Sequence, residues 1–256
     1  MKSLENRVAL VTGSSSGIGQ AIAETLARNG ANVVINYAGN RDGAEDTLKQ
    51  VEAHGVQGVI VSADVSKLAD IQALIDRGWE AFGSVDILVN NAGMEKKADF
   101  RDVTEEDYDR VLGVNLKGPF FLTQAFVRRL LGARKTGRII NISSVHEDMA
   151  FPGFASYCAS KGGMRMLMRD LAVELGPEGF TINNVAPGAI STPINKSLLE
   201  DKPKLNALLA NIPLGRLGST DDVAELVAFL ASDAAAYITG STFIVDGGLI
   251  RHYREQ

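Results

Sequence analysis

Tyr157 and Lys161 stand four residues apart in the run YCASKGG. On a helix such a pair shares one face, one turn apart. A phenol ordinarily loses its proton near pH ~10, too high to serve as a base at neutrality. A neighbouring ammonium favours the phenolate. Tyr157 can then take a proton from an alcohol, or return it to a carbonyl, with Lys161 as the charge that tunes it. A Tyr–Lys pair taken alone is more often a plain surface contact. Ser144 changes the balance. It directly follows an apolar run, GRIINIS, and its hydroxyl can donate to a substrate oxygen and stabilise charge developing there.

Alcohol oxidation also needs a hydride acceptor. The run TGSSSGIG, Thr12 to Gly19, follows the apolar RVALVT and opens a helical pattern. Gly13 permits a tight turn, Gly17 lets backbone approach a pyrophosphate, and Gly19 lets helix and sheet pack closely. The helix N-terminus, with Ser16 and Ile18 in the same turn, offers N–H groups and a partial positive charge to phosphates. Dinucleotide binding follows. The second strand ends VVINYAGNRD. An acid there would bind the adenosine ribose and repel a 2′-phosphate. Asn36, Tyr37 and Ala38 stand there instead, and Arg41 can meet a 2′-phosphate. Use of both NAD and NADP is predicted, with a modest preference for NADP.

The elements that must position these groups read as strands alternating with helices. Apolar runs recur at 7–12, 31–36, 56–65, 85–93, 137–143, 180–188 and 241–248, with helical patterns at 18–30, 71–82 and 157–175. The runs are apolar throughout, as in strands covered on both faces. A single α/β domain over 1–256 is predicted: a doubly wound parallel sheet with helices on both faces. The segment at about 193–217, with Pro203 and Pro213, follows a strand and is read as a lid over the ligand crevice.

A formal charge of −5 and no long basic run argue against nucleic-acid binding. One cysteine, Cys158, excludes an internal disulfide, and His54, His146 and His252 have no metal-ligand spacing, so no metal is expected. The start lacks the apolar core of a signal peptide and no run reaches the length of a membrane span. No membrane partner and a cytoplasmic location are expected.

TGSSSGIG, together with NNAG (Asn90–Gly93), NISS (Asn141–Ser144), Tyr157 and Lys161, PGAISTP (Pro187–Pro193) and DGG (Asp246–Gly248), strongly resembles the short-chain dehydrogenases/reductases. The resemblance runs from about Arg7 to Gly248 and implies a Rossmann-like, NAD(P)-dependent oxidoreductase. It implies that Ser144, rather than Ser143, is the catalytic serine, and that Asn115 helps a proton-relay water near Lys161. Lys161 would also hold the nicotinamide ribose. Asp64 and Val65 would flank the adenine, with Asn91, Ala92, Gly93, Pro187, Gly188, Ile190 and Thr192 along the cofactor. Ser16 stands where strongly NADP-preferring relatives often carry arginine. The helices after Gly118 and from Tyr157 would form a dimer interface within a homotetramer.

Within that family, NAGME, SSVHE and ISTPIN resemble the bacterial glucose 1-dehydrogenases, as does the longer run from Ser143 to Met164. That likeness implies a sugar substrate whose hydroxyls meet Glu95, His146 and Asn195 beside Ser144 and Tyr157. The C-terminal IRHYREQ departs from those enzymes. The alternative enzyme is a 3-oxoacyl-carrier-protein or other ketone reductase, whose acidic partner would favour the basic cluster Arg128, Arg129, Arg134 and Lys135. A non-enzymatic cofactor sensor is a third reading, opposed by the complete Ser–Tyr–Lys set.

Overall fold

A computed structural model describes residues 3–193 and 200–251. The first half alternates β1 (Val8–Val11), α1 (Gly17–Arg28), β2 (Asn32–Tyr37), α2 (Arg41–Ala53), β3 (Gly58–Ser62), α3 (Leu68–Phe82) and β4 (Ile87–Asn90). A short α4 (Glu105–Leu112) then passes through a π-helical stretch, Gly113–Lys117, into α5 (Gly118–Gly132). β5 (Arg138–Ile142), α6 (Ala155–Leu175), β6 (Thr181–Pro187), α7 (Lys202–Leu209), α8 (Thr220–Ala231) and β7 (Thr242–Val245) complete the order. No helix among the described residues is long and apolar enough to cross a membrane.

The seven strands form one sheet in the order β3-β2-β1-β4-β5-β6-β7, and every pairing is parallel. Successive side chains of a strand face opposite sides. In β1, Ala9 and Val11 join the core under α1 and α8, while Val8 and Leu10 join the core under α3, α5 and α6. Both sides are dry, so the strands read as unbroken apolar runs. Each fully buried large side chain, Leu10 or Phe126 for example, contributes about 1.5–3 kcal/mol relative to exposure.

The helix on Ala155–Leu175 buries Met164, Met168 and Leu175, as its pattern predicts, and leaves Met166 and Val173 exposed. Phe120 on α5 is likewise exposed.

One polar feature crosses the sheet. Asn90, Asn141 and Asn184 are register partners on β4, β5 and β6. Asn90 donates to Asn141 at 2.8 Å, and Asn141 donates to Asn184 at 2.9 Å. All three are buried. These two bonds between buried amides at consecutive register positions fix the relative heights of the three strand ends, although Asn90 Oδ1 is left without a partner.

Candidate active site

The strand order reverses at β1 and β4, and α/β sheets open a crevice there at the carboxyl ends of the strands. Here the crevice has a volume of about 1000 Å³. Its cofactor wall begins at the glycine turn. Gly13 and Gly17 have φ of 61° and 57°, a region that favours glycine. A Cβ on Gly13 would stand 2.9 Å from Ala92 Cα, and one on Gly19 would stand 2.4 Å from the Gly13 carbonyl. Ser16 leaves the α1 terminus without a side-chain cap, unlike Asn40 on α2 or Thr104 on α4. The first N–H groups of α1 therefore face the crevice ready for an anion.

Side chains behind the turn hold it in place. Thr12 Oγ1 accepts from the N–H groups of Asn91 and Ala92, each at 2.9 Å. Asn91 Nδ2 donates to the Thr12 and Gly13 carbonyls. Asn36 accepts from Gly13 N–H at 3.2 Å and donates to the Ala63 carbonyl at 3.0 Å. Beyond the end of β3, burial pushes the Asp64 carboxyl up, but Ser66 and Lys67 outweigh it and hold it below the usual carboxylate range. Gly13, Ser16, Gly17, Ile18, Gly19, Ala38, Asp64, Val65, Asn91, Ala92, Gly93, Pro187, Gly188, Ile190 and Thr192 all line the crevice. A glycine cradle that a Cβ would block, leading onto an uncapped helix N-terminus, fits a dinucleotide.

The chemical groups share the same crevice. Ser144, Tyr157 and Lys161 line it where β5 ends and α6 begins. Lys161 Nζ donates to the Ile142 carbonyl at 2.9 Å and lies 5.6 Å from the Tyr157 ring centroid. Burial pushes the Tyr157 phenol up to about 12; the Ser144 hydroxyl pulls it down, and Glu95 pushes it further up. Burial takes the Lys161 ammonium down to about 8, opposed by Glu147. At the phenol desolvation outweighs the hydrogen bond from Ser144.

On the substrate wall, burial raises the Glu95 carboxyl and lowers the His146 imidazole. His146 Nδ1 lies 3.1 Å from the Met149 carbonyl, which fixes N–H there in the neutral ring and leaves Nε2 as acceptor. The His146 ring stacks on Phe151 at 4.2 Å, and Phe151 stacks on Phe154 at 4.1 Å. The edge-on contact of His146 with Tyr157, at 6.2 Å, connects this column to the phenol.

Three of the predicted site residues stand elsewhere. Asn115 is fully buried in the π-helical stretch; it exchanges hydrogen bonds with the Met94 backbone and donates to Ser160. Its side chain braces Met94 against α6 rather than lining the crevice. Tyr37 packs half-buried against the core, and exposed Arg41 pairs with Glu45 one turn along α2. Asn195 lies outside the described residues. Of the proposed lid, Pro193, Leu208 and Asn211 line the crevice. Sequence reading missed Met94, Met149 and Phe151 on the substrate wall. The dense aromatic and turn pattern FPGF was their available signal.

A doubly wound sheet with a dinucleotide cradle beside a buried Ser–Tyr–Lys set defines a nicotinamide-dependent oxidoreductase. A family model described as enoyl-(acyl carrier protein) reductase matches residues 13–250. The chain is 43% identical over 246 residues to 3beta-hydroxysteroid dehydrogenase 1 of Eggerthella lenta, covering 96% of this chain and 94% of the relative. A 3-oxoacyl-[acyl-carrier-protein] reductase of Staphylococcus epidermidis is 43% identical, covering 95% and 99%. An L-rhamnose 1-dehydrogenase (NAD(P)(+)) of Azotobacter vinelandii is 42% identical, covering 96% and 97%. The crystal structure of a gluconate 5-dehydrogenase from Burkholderia cenocepacia, in complex with NADP and tartrate, superposes with a TM-score of 0.91 at 36% identity, covering 98% and 97%. The chain belongs to the short-chain dehydrogenase/reductase family, whose members are NAD(P)-dependent and act on alcohol, sugar or ketone substrates. None of these four relatives is named a glucose 1-dehydrogenase.

Proposed function

We propose that the chain oxidises a hydroxyl of a neutral sugar or polyol, or reduces the matching carbonyl, as a glucose 1-dehydrogenase does. NADP and NAD both serve, with a modest preference for NADP. The observation that carries this reading is the pair of polar groups beside the Tyr157 phenol, the exposed Glu95 carboxylate and the half-buried neutral His146 ring. A buried polyol hydroxyl left unpaired is costly, and these two acceptors satisfy such donors. The Glu95 charge also repels an acid substrate, so a neutral sugar is favoured over a sugar acid.

The nicotinamide, when bound, takes up or returns the hydride. The protein's own residues manage the proton. Tyr157 accepts it from the substrate hydroxyl, and Ser144 donates a hydrogen bond to the substrate oxygen. Lys161, anchored on the Ile142 carbonyl, supplies the positive charge that favours phenolate and holds the ribose. Asp64, Val65 and the Asn91–Gly93 backbone seat the cofactor. The segment at 193–217 closes over the substrate as part of one 1–256 domain. Exposed Phe120 and Met166 are covered by the same helices of a second copy in a tetramer.

The second reading, a 3-oxoacyl-carrier-protein or ketone reductase, draws on the apolar lining at Met94, Met149, Phe151 and Leu208. The basic cluster offers it little. Arg134 and Lys135 lie between α5 and the start of β5, at the sheet edge opposite the crevice. A panel of D-glucose, other aldoses, polyols and acetoacetyl thioester, each with NADP and NAD, tests the choice. Turnover of a neutral aldose is the expected result; turnover of the thioester alone overturns the sugar reading.

A further inference from the structure

Glu147 ends the 3-10 turn Val145–Glu147 that follows Ser144, yet its side chain is only 2% exposed. A buried carboxylate is costly unless paired and hydrogen-bonded. Ser143 Oγ donates to Oε2 at 2.5 Å, Asn184 Nδ2 donates to the same oxygen at 3.3 Å, and Arg165 Nε lies 3.6 Å from Oε1. Asn184 is the last rung of the ladder through Asn141 to Asn90, so three strand ends brace this one carboxylate. Arg165 also pairs with Asp148. Oε1 and Arg165 Nε are both buried without a hydrogen-bond partner, so the guanidinium neutralises the carboxylate only in part.

Lys161 lies on the crevice side of this group. Its Nζ is held by the carbonyl of Ile142, the residue just before Ser143. It is 3% exposed, and among the described residues no carboxylate is in salt-bridge contact with it. Ile142 and Ser143, adjacent in the chain, hold Lys161 Nζ and Glu147 Oε2 respectively; Arg165 on α6 and neutral Asn184 on β6 are the other groups at the carboxylate.

We propose that Glu147 is a positioning residue for the reaction: held by Ser143, Asn184 and Arg165, it supplies the buried countercharge for Lys161 and ties the turn carrying His146 to the sheet. The inference rests on the catalytic reading of Tyr157 and Lys161 above. Burial drives the lysine ammonium towards its neutral form, and Glu147 is the anion that opposes this. Without it the amine sheds its proton closer to neutrality, and Tyr157 loses its cation at working pH.

The test is E147Q, which keeps an oxygen for the Ser143 hydroxyl and removes the charge. The Lys161 titration is followed by NMR of carbon-labelled lysine, with the resonance assigned from K161M. The expected result is a midpoint lower by about one pH unit, the order by which losing a nearby attractive charge shifts a buried ammonium. A merely structural role would lower the melting temperature and leave the midpoint in place; an unchanged midpoint in folded E147Q overturns the proposal. If E147Q does not fold, the double variant E147Q/R165Q is compared with R165Q. Both lack the guanidinium, so a lower midpoint in the double variant reads the Glu147 charge, and equal midpoints overturn the proposal. Y157F, assayed for turnover alongside, separates the two claims. Retained turnover defeats the catalytic reading while leaving the lysine titration to be judged by itself.

Discussion

On the β1–β4 side of the crevice, Thr12, Asn36 and Asn91 are each bonded to backbone, and Gly13 and Gly19 approach neighbouring backbone where no Cβ fits. On the other side the wall consists of side chains in the loop after β4 and the turn after β5, exposed Glu95 and His146 stacked on Phe151, with Pro193 and the α7 residue Leu208 beside them. The first wall recognises a group common to the whole family, so rigid backbone suffices and any added atom is harmful. The second must distinguish one carbonyl compound from another. It does so with side chains that can be exchanged without disturbing the sheet. Tyr157 and Lys161 sit at the seam, their protonation set by burial on one side and charge on the other.

Substitutions on either side of the seam sharpen this contrast. The largest effect is expected at the seam itself. Y157F should lower kcat by about a thousandfold, the scale of a lost general base, while the NADP dissociation constant from fluorescence titration stays within about twofold. A kcat near wild type would remove the phenol from the reaction. Next comes the rigid wall. A Cβ at Gly19 collides with the Gly13 carbonyl, and backbone strain of about 1–3 kcal/mol should weaken NADP binding in G19A by roughly tenfold to a hundredfold. Calorimetry showing wild-type affinity would mean that the turn is not the cradle.

On the adaptable wall, E95Q should raise KM for a neutral aldose by about tenfold through a weakened hydrogen bond. It should also move the alkaline rise of oxidation to lower pH. The sign follows from charge: the Glu95 anion pushes the phenol up, so its removal lets phenolate form with less base. A rise that stays in place, or moves upward, separates Glu95 from the phenol. The smallest effect is expected at Arg41, which is exposed and paired with Glu45. R41A should lower kcat/KM with NADP by about threefold at low salt and leave NAD unchanged, as a screened surface charge does. Equal losses with both cofactors would exclude it from 2′-phosphate recognition.

Much of this was legible in the chain. Strands buried on both faces, the glycine turn and the Tyr–Lys spacing are local patterns with a local cause. Apolar runs mark dry strands, positive φ calls for glycine, and one helical turn brings residues four apart together. Asn36 shows where such reading stops. From its place near the end of β2 the sequence sets it at the ribose end of the crevice, yet its amide is turned inward to bridge the glycine turn and β3. Asn115, expected near Lys161, lies with it beside Gly93, and only the structure shows its side chain holding the Met94 backbone from a π-helical stretch.

The sequence by itself determined the parallel sheet, the glycine turn and the placing of Tyr157 one helical turn from Lys161, because each depends on neighbours within about one turn or one strand. Only the tertiary structure decided their electrostatics. The depressed lysine, the raised phenol and the buried Glu147 arise from β5, β6 and α6 converging, and desolvation depends on everything packed around a charge, wherever it lies along the chain.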